Sequence, residues 1–248
     1  MQNSSKPTST VLFDLHNTLI YQSMDLRGHL AHVILKCREV LPDLDLESFV
    51  SAWLSIEQAQ ASTTESAIPL LEKDEWDTAE IMLRETPIRM FIQEVLEAAR
   101  VQIDDQKVTS ASDAFQESWM SGLRVIDGAT DLLRQLSTKY RLGIVSNFRD
   151  GERMRVWLSA NSLSDYFNSC IVISQEVGIR KPHPRLFEIA LDCLEIDEAE
   201  HAVYIGDDPL EDILGPQLKG LRVQLVDQSN PDKSHRLRDA VTELGLLQ

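Results

Sequence analysis

Val11-Leu12-Phe13-Asp14-Leu15-His16-Asn17-Thr18-Leu19-Ile20 decides the fold. An apolar run stops at an acid, and a turn-forming Asn-Thr pair follows. Runs of the same kind recur much later in the chain: Leu142-Gly143-Ile144-Val145 before Ser146-Asn147, Cys170-Ile171-Val172-Ile173 before Ser174, and Ala202-Val203-Tyr204-Ile205 before Gly206-Asp207. Such runs are continuous rather than alternating, as in strands buried on both faces of a parallel sheet. A last run, Leu221 to Val226, alternates and reads as an edge strand.

Helical periods separate these strands. Ala129, Leu132, Leu133 and Leu136 share one face, as do Met154, Trp157 and Leu158, and Phe187, Ala190, Leu191 and Leu194. From residue 124 onward helix and strand therefore alternate, the pattern of a doubly wound α/β sheet. Residues 24–121 break that pattern. They show helical stretches near 28–41, 46–61, 75–100 (broken at Pro87) and 106–121, with Asp45 as an N-cap. The expected architecture is a Rossmann-like parallel sheet with an all-helical domain inserted after the first strand. The expected boundaries are a disordered tail over 1–9, a core over 10–23 and 122–248, and a helical cap over 24–121.

Forty acidic residues against 24 basic ones give a net charge of −16. That balance argues against nucleic acid or an anionic membrane surface as partner. Three cysteines, Cys37, Cys170 and Cys193, form neither a disulfide framework nor a CxxC zinc motif, and are expected as buried thiols in a reducing compartment. The polar start of the chain lacks the apolar core of a signal peptide, and no run of 18 apolar residues occurs, so the expected location is the cytoplasm.

Polar residues gather at the carboxyl ends of the expected strands, where open parallel sheets bind ligands. Asp14 follows the first strand, with Asn17 and Thr18 in its turn. Ser146 and Asn147 follow the second, and Lys181 lies in the loop Gly178-Ile179-Arg180-Lys181-Pro182. Asp207 and Asp208 follow the strand at 202–205, with Asp212 shortly after. Asp208-Pro209-Leu210-Glu211 also reads as a helix capping box, with Asp208 at N-cap and Glu211 at N3. Taken singly, each is an ordinary cap, turn or surface residue. Their order along the chain is what joins them.

In that order they resemble the four motifs of the haloacid dehalogenase-like hydrolase superfamily: FDLHNTLI, IVSNF, RKPHPRLFEIAL and IGDDPLED. The resemblance extends over residues 11–20 and about 124–226. The helical insert is similar to the cap of the dehalogenase and phosphoglycolate phosphatase branches. It implies a phosphatase acting on a small phosphorylated metabolite through an aspartyl-phosphate, with Asp14 as nucleophile. It implies Mg²⁺ at Asp14, the backbone carbonyl of His16, and Asp207, with Asp212 beside or among the ligands. It implies that Ser146 and Lys181 hold phosphoryl oxygens, with Thr18 and Asn147 in the phosphate-binding set. The pattern departs at one position. Phosphatases of the family carry a second Asp two residues after the nucleophile, and His16 stands there instead. A histidine can serve as acid and base near neutrality, so His16 is expected to be catalytic. The same departure admits two alternatives, a 2-haloacid dehalogenase-type hydrolase and a catalytically weak binding protein. Arg149, Arg153, Arg27 and His29 are candidates for selecting the substrate. The oligomeric state is not legible in the sequence.

Overall fold

A computed structural model describes residues 8–167, 169–230 and 232–247. The first seven residues of the expected tail lie outside the described residues. The tail's last two are tied down: Ser9 N–H donates to the His201 carbonyl at 2.8 Å, and Arg222 donates to the Thr8 hydroxyl.

The chain opens with strands β1 (Thr10–Phe13) and β2 (Ile20–Gln22). Five helices follow: α1 (Leu26–Lys36), α2 (Leu46–Leu71), α3 (Trp76–Met82), α4 (Ile88–Ala98) and α5 (Asp105–Gly122). The alternating part then runs β3 (Leu123–Val125), α6 (Ala129–Ser137), β4 (Arg141–Ser146), α7 (Gly151–Ala160) and β5 (Ile171–Ile173). It continues with α8 (Ser174–Val177), α9 (Arg185–Cys193), β6 (Ala202–Gly206), α10 (Leu214–Leu218), β7 (Arg222–Leu225) and α11 (Lys233–Glu243).

Five strands form one parallel sheet in the order β5-β4-β1-β6-β7. β1 lies at the centre, and the chain winds outward first on one side of it and then on the other. That is the doubly wound α/β arrangement expected from the sequence, with its ligand edge at the carboxyl ends of the strands. The continuous apolar runs bury every residue of β1, β5 and β6, while β7 is the half-buried edge strand its alternation suggested. β2 and β3 pair separately as a two-stranded ribbon.

The chain divides into two compact units. One holds residues 22–66 and 86–124, and the other holds the sheet together with residues 67–85. The helical unit packs around Phe49, Trp53, Phe91 and Phe115, with ring centroids of Trp53 4.8 Å from Phe91 and 4.6 Å from Phe115. Asp45 caps α2 as expected, accepting the Ser48 N–H at 2.9 Å.

Residues 67–85 correct the sequence reading, which placed all of 24–121 in one helical body. α2 runs on to Leu71 rather than ending near 61, and Ala67, Leu71, Ala79 and Leu83 are fully buried. Their neighbours in the core are residues such as Ile179, Leu186 and Phe187, so this stretch belongs with the sheet unit. The cysteine expectation also changes in part: Cys37 and Cys170 are buried, but Cys193 is exposed. Among the described residues no helix is long and apolar enough to cross a membrane.

Candidate active site

Asp14 follows β1, and its N–H donates to the Ile205 carbonyl of β6 at 2.8 Å, which fixes the residue at the strand end. Ser146 closes β4, and its hydroxyl donates to Asp14 Oδ1 at 3.0 Å. Lys181 reaches the same oxygen at 2.7 Å. Its ammonium also meets Asp212 Oδ1 at 2.6 Å and the Tyr204 phenol oxygen at 2.9 Å. Three N–H bonds thus face three acceptors, which is how a lysine whose side chain is only 2% exposed remains charged. Burial opposes that charge, but Asp14 and Asp212 outweigh it and hold the Lys181 pKa well above its ordinary value.

Asp212 is saturated. Oδ1 accepts from Lys181 and, at 2.8 Å, from Tyr204, while Oδ2 accepts the backbone N–H groups of Asp207 at 2.9 Å and Asp208 at 3.0 Å. Glycine at 206 makes this possible, because a Cβ there would collide with the Asp212 carboxylate. Asp212 therefore acts as a buttress that aims Lys181 and the turn carrying Asp207, a place beside the expected metal ligands.

Carboxylate oxygens of Asp14, Asp207 and Asp212 lie within 4.8 Å of one another. Burial, with repulsion from Asp14 and Asp212, pushes Asp207 up to about 7. Burial likewise raises Asp14 to about 6, against the lowering influence of Lys181. A compact set of hard oxygen donors with surplus negative charge suits a divalent cation such as Mg²⁺. With Asp212 taken, Asp14 and Asp207 are the carboxylates that fit it.

The remaining expected residues fall in several places. Thr18 is fully buried, and its hydroxyl meets no protein partner among the described residues. His16 is bridged to Ile20 through the tight turn after β1, whose Asn17 adopts a left-handed φ of 57°. Burial first, and the Lys233 ammonium second, push the His16 imidazole down to about 4, so it is neutral at pH 7. Asn147 is engaged within the protein. Its Oδ1 accepts the Lys181 N–H at 2.8 Å, and its Nδ2 donates to Glu211 at 2.8 Å, so it shapes the Lys181 loop.

The capping box forms only by half. Asp208 accepts the N–H groups of Leu210 at 2.8 Å and Glu211 at 3.3 Å, but the segment is a turn and a helix begins only at Leu214. Glu211 does not reach back to complete the box; it takes Arg180 at 2.5 Å as well as Asn147. Arg27 forms an exposed ion pair with Glu47, and Arg153 pairs with Asp150. His29 is fully buried in the helical unit, 2.9 Å from the Ser118 hydroxyl. Sequence reasoning missed Tyr204, Glu211 and Arg180. Tyr204 alone left a signal, a phenol inside an otherwise apolar strand.

The profile of the haloacid dehalogenase-like hydrolase family matches residues 11–226. The chain belongs to that family. Among its relatives, a glyceraldehyde 3-phosphate phosphatase of Pyrococcus abyssi is 31% identical over 46% of this chain and 48% of its own. A pyrimidine 5'-nucleotidase of Escherichia coli is 30% identical over 50% of this chain and 53% of its own. The match thus spans about half the length of these relatives. A ribulose-1,5-bisphosphate 5-phosphatase of Halopiger xanaduensis is 26% identical over 95% of this chain and 92% of its own.

Two solved structures share the fold of this member of the family. A HAD-hydrolase of Bacillus subtilis bound to magnesium superposes with a TM-score of 0.58 at 21% identity, over 90% of each chain. A 2-haloacid dehalogenase of Pseudomonas syringae superposes with a TM-score of 0.61 at 20% identity, over 96% of this chain and 99% of the other.

Proposed function

We propose that the protein hydrolyses a phosphate monoester of a small metabolite, with Asp14 as the nucleophile. The observation that carries this reading is the buried contact of Lys181 with Asp14 Oδ1, shared with Ser146. A carboxylate held beside an ammonium and a hydroxyl is placed to attack phosphorus while the two donors take up charge on the phosphoryl oxygens. The Asp14 oxygen forms a bond to phosphorus as the ester P–O bond breaks, and the departing alkoxide takes a proton from solvent, since the neutral His16 imidazole has none to give. Water then attacks the acyl phosphate, releasing inorganic phosphate and restoring the Asp14 carboxylate.

Asp14 and Asp207, with the His16 carbonyl, would hold Mg²⁺, which supplies charge neutralisation at the phosphoryl group when bound. Asp212 keeps Lys181 and the Asp207 turn in place throughout. His16 stands where an acid/base is needed, and a neutral imidazole there takes a proton from the attacking water and then releases it to solvent. The named phosphatase and nucleotidase relatives support a phosphorylated small-molecule substrate. The net charge of −16 weighs against nucleic acid and anionic membranes as partners.

One observation favours a second reading, a dehalogenase-type hydrolase: histidine replaces the second acid of the phosphatase pattern. The three clustered carboxylates weigh against it, because displacement of a halide by Asp14 needs no cation. A single screen separates the two. Phosphate release is measured over a panel of phosphorylated metabolites, with Mg²⁺ and with chelator, beside halide release from 2-haloacids. Mg²⁺-dependent phosphate release without halide release is the expected result. Halide release that ignores chelator would sink the phosphatase reading.

A further inference from the structure

Glu85 is the last residue of the 67–85 stretch, where the chain leaves the sheet unit. Its side chain is only 2% exposed. Oε1 accepts from Arg149 at 3.1 Å, and Oε2 accepts from the Ser174 hydroxyl at 2.6 Å. The Ser174 oxygen in turn accepts the Phe148 N–H at 2.9 Å. The backbone is tied as well. Glu85 N–H donates to the Gly178 carbonyl at 3.0 Å, and Arg180 N–H donates to the Leu83 carbonyl at 2.8 Å, a short antiparallel bridge around Arg84 and Ile179.

These contacts converge on two loops. Phe148 and Arg149 follow Ser146 directly, and Gly178 to Arg180 lead directly into Lys181. Ser146 and Lys181 are the two donors on Asp14 Oδ1. Asn147 joins the same two loops from the other side, through the Lys181 backbone.

We infer that Glu85 is a positioning residue for the phosphoryl site: by holding Arg149, Ser174 and the 178–180 backbone, it fixes the Ser146 and Lys181 loops relative to each other. A carboxylate buried this deeply is stable only while its partners hold still, so the loops inherit its rigidity. Catalysis depends on that rigidity, because a donor displaced by about 1 Å loses on the order of 10²-fold in rate. The kinetic part of this inference rests on the phosphatase reading; the structural part does not.

The test uses Glu85→Gln, which keeps the shape and an acceptor for Ser174 but removes the charge facing Arg149. Ser174→Ala is the second variant, removing one anchor while leaving the ion pair. Melting temperature, amide hydrogen exchange in the peptides covering 147–150 and 178–182, and kcat and KM for p-nitrophenyl phosphate with Mg²⁺ are measured for both. The expected result is near wild-type melting and faster exchange in both loops, with exchange in α6 unaltered. The expected kcat falls on the order of 10²-fold while KM changes little, because the lost alignment matters in the transition state. Exchange that is unaltered in both loops of both variants would overturn the inference, as would wild-type kcat in both. If Glu85→Gln does not fold, Ser174→Ala decides by the same readouts. A wild type that releases no phosphate overturns the proposed activity instead, and loop exchange then decides the role of Glu85.

Discussion

The phenol oxygen of Tyr204 sits 2.9 Å from the Lys181 ammonium and 2.8 Å from Asp212 Oδ1, closing a buried triangle beside Asp14. Tyr204→Phe preserves the edge-on ring contact with Phe187, at 5.0 Å between centroids, and removes only the oxygen. One Lys181 N–H then loses its acceptor, and stability is expected to fall by about 1–3 kcal/mol. Urea unfolding of the variant beside wild type reads the difference directly.

Replacing Asp14, the proposed nucleophile, gives the sharpest kinetic expectation. Asp14→Asn keeps the size of the side chain but cannot form the acyl phosphate. Phosphate release is expected to drop on the order of 10⁴-fold or more, the scale of losing a catalytic nucleophile. Turnover close to wild type would end the covalent mechanism.

His16 separates metal binding from proton transfer. The proposed ligand there is the backbone carbonyl, so His16→Asn should bind Mg²⁺ nearly as tightly as wild type, while kcat falls on the order of 10²-fold. His16→Asp restores the carboxylate of the phosphatase pattern and should recover the lost rate. Calorimetric Mg²⁺ titration beside steady-state kinetics checks both halves. Wild-type kcat in His16→Asn would remove the imidazole from the chemistry.

Cation binding should also register without turnover. Mg²⁺ at a concentration 100 times its dissociation constant stabilises the folded state by about 2.7 kcal/mol if the unfolded chain does not bind it. Asp207→Asn should lose most of that increment. Thermal melts with and without Mg²⁺, in both proteins, supply the comparison.

Two buried histidines away from Asp14 add to the pH dependence of stability. Burial lowers the pKa of both His29 and His183 below the ordinary value of 6.5. Below that value the unfolded chain takes up protons that the folded protein resists, so the contribution of these histidines falls as pH drops from about 6.5, against the opposite contribution of Asp14 and Asp207, raised to about 6 and about 7. His29→Gln should flatten the fall between pH 6.5 and 5. Melting temperatures across that range in wild type and variant measure the slope; equal slopes would mean His29 contributes nothing.

Strand ends were legible because each apolar run stops abruptly at a polar residue, and that alone located Asp14, Ser146 and Asp207. Lys181 was legible from its place before Pro182 in the ordered series. The 67–85 stretch was not, since its apolar residues fit a helix packed on either unit, and only tertiary contact with Ile179 and Phe187 decides. Glu211 misled for a related reason. Its spacing from Asp208 matches a capping box, but the half-buried Arg180 guanidinium draws the carboxylate away. Glu85 carries no local signal at all, because its partners lie 64 and 89 residues further along the chain.

Lys181 has no idle proton: each of its three N–H bonds already ends on a protein oxygen. In the proposed reaction a phosphoryl oxygen arriving there would enter by exchange, taking a bond that Asp14, Tyr204 or Asp212 must give up. Ground-state attraction at that point would then be the small difference between two strong contacts, which under the proposed reaction favours loose retention of free phosphate and prompt clearing of the product.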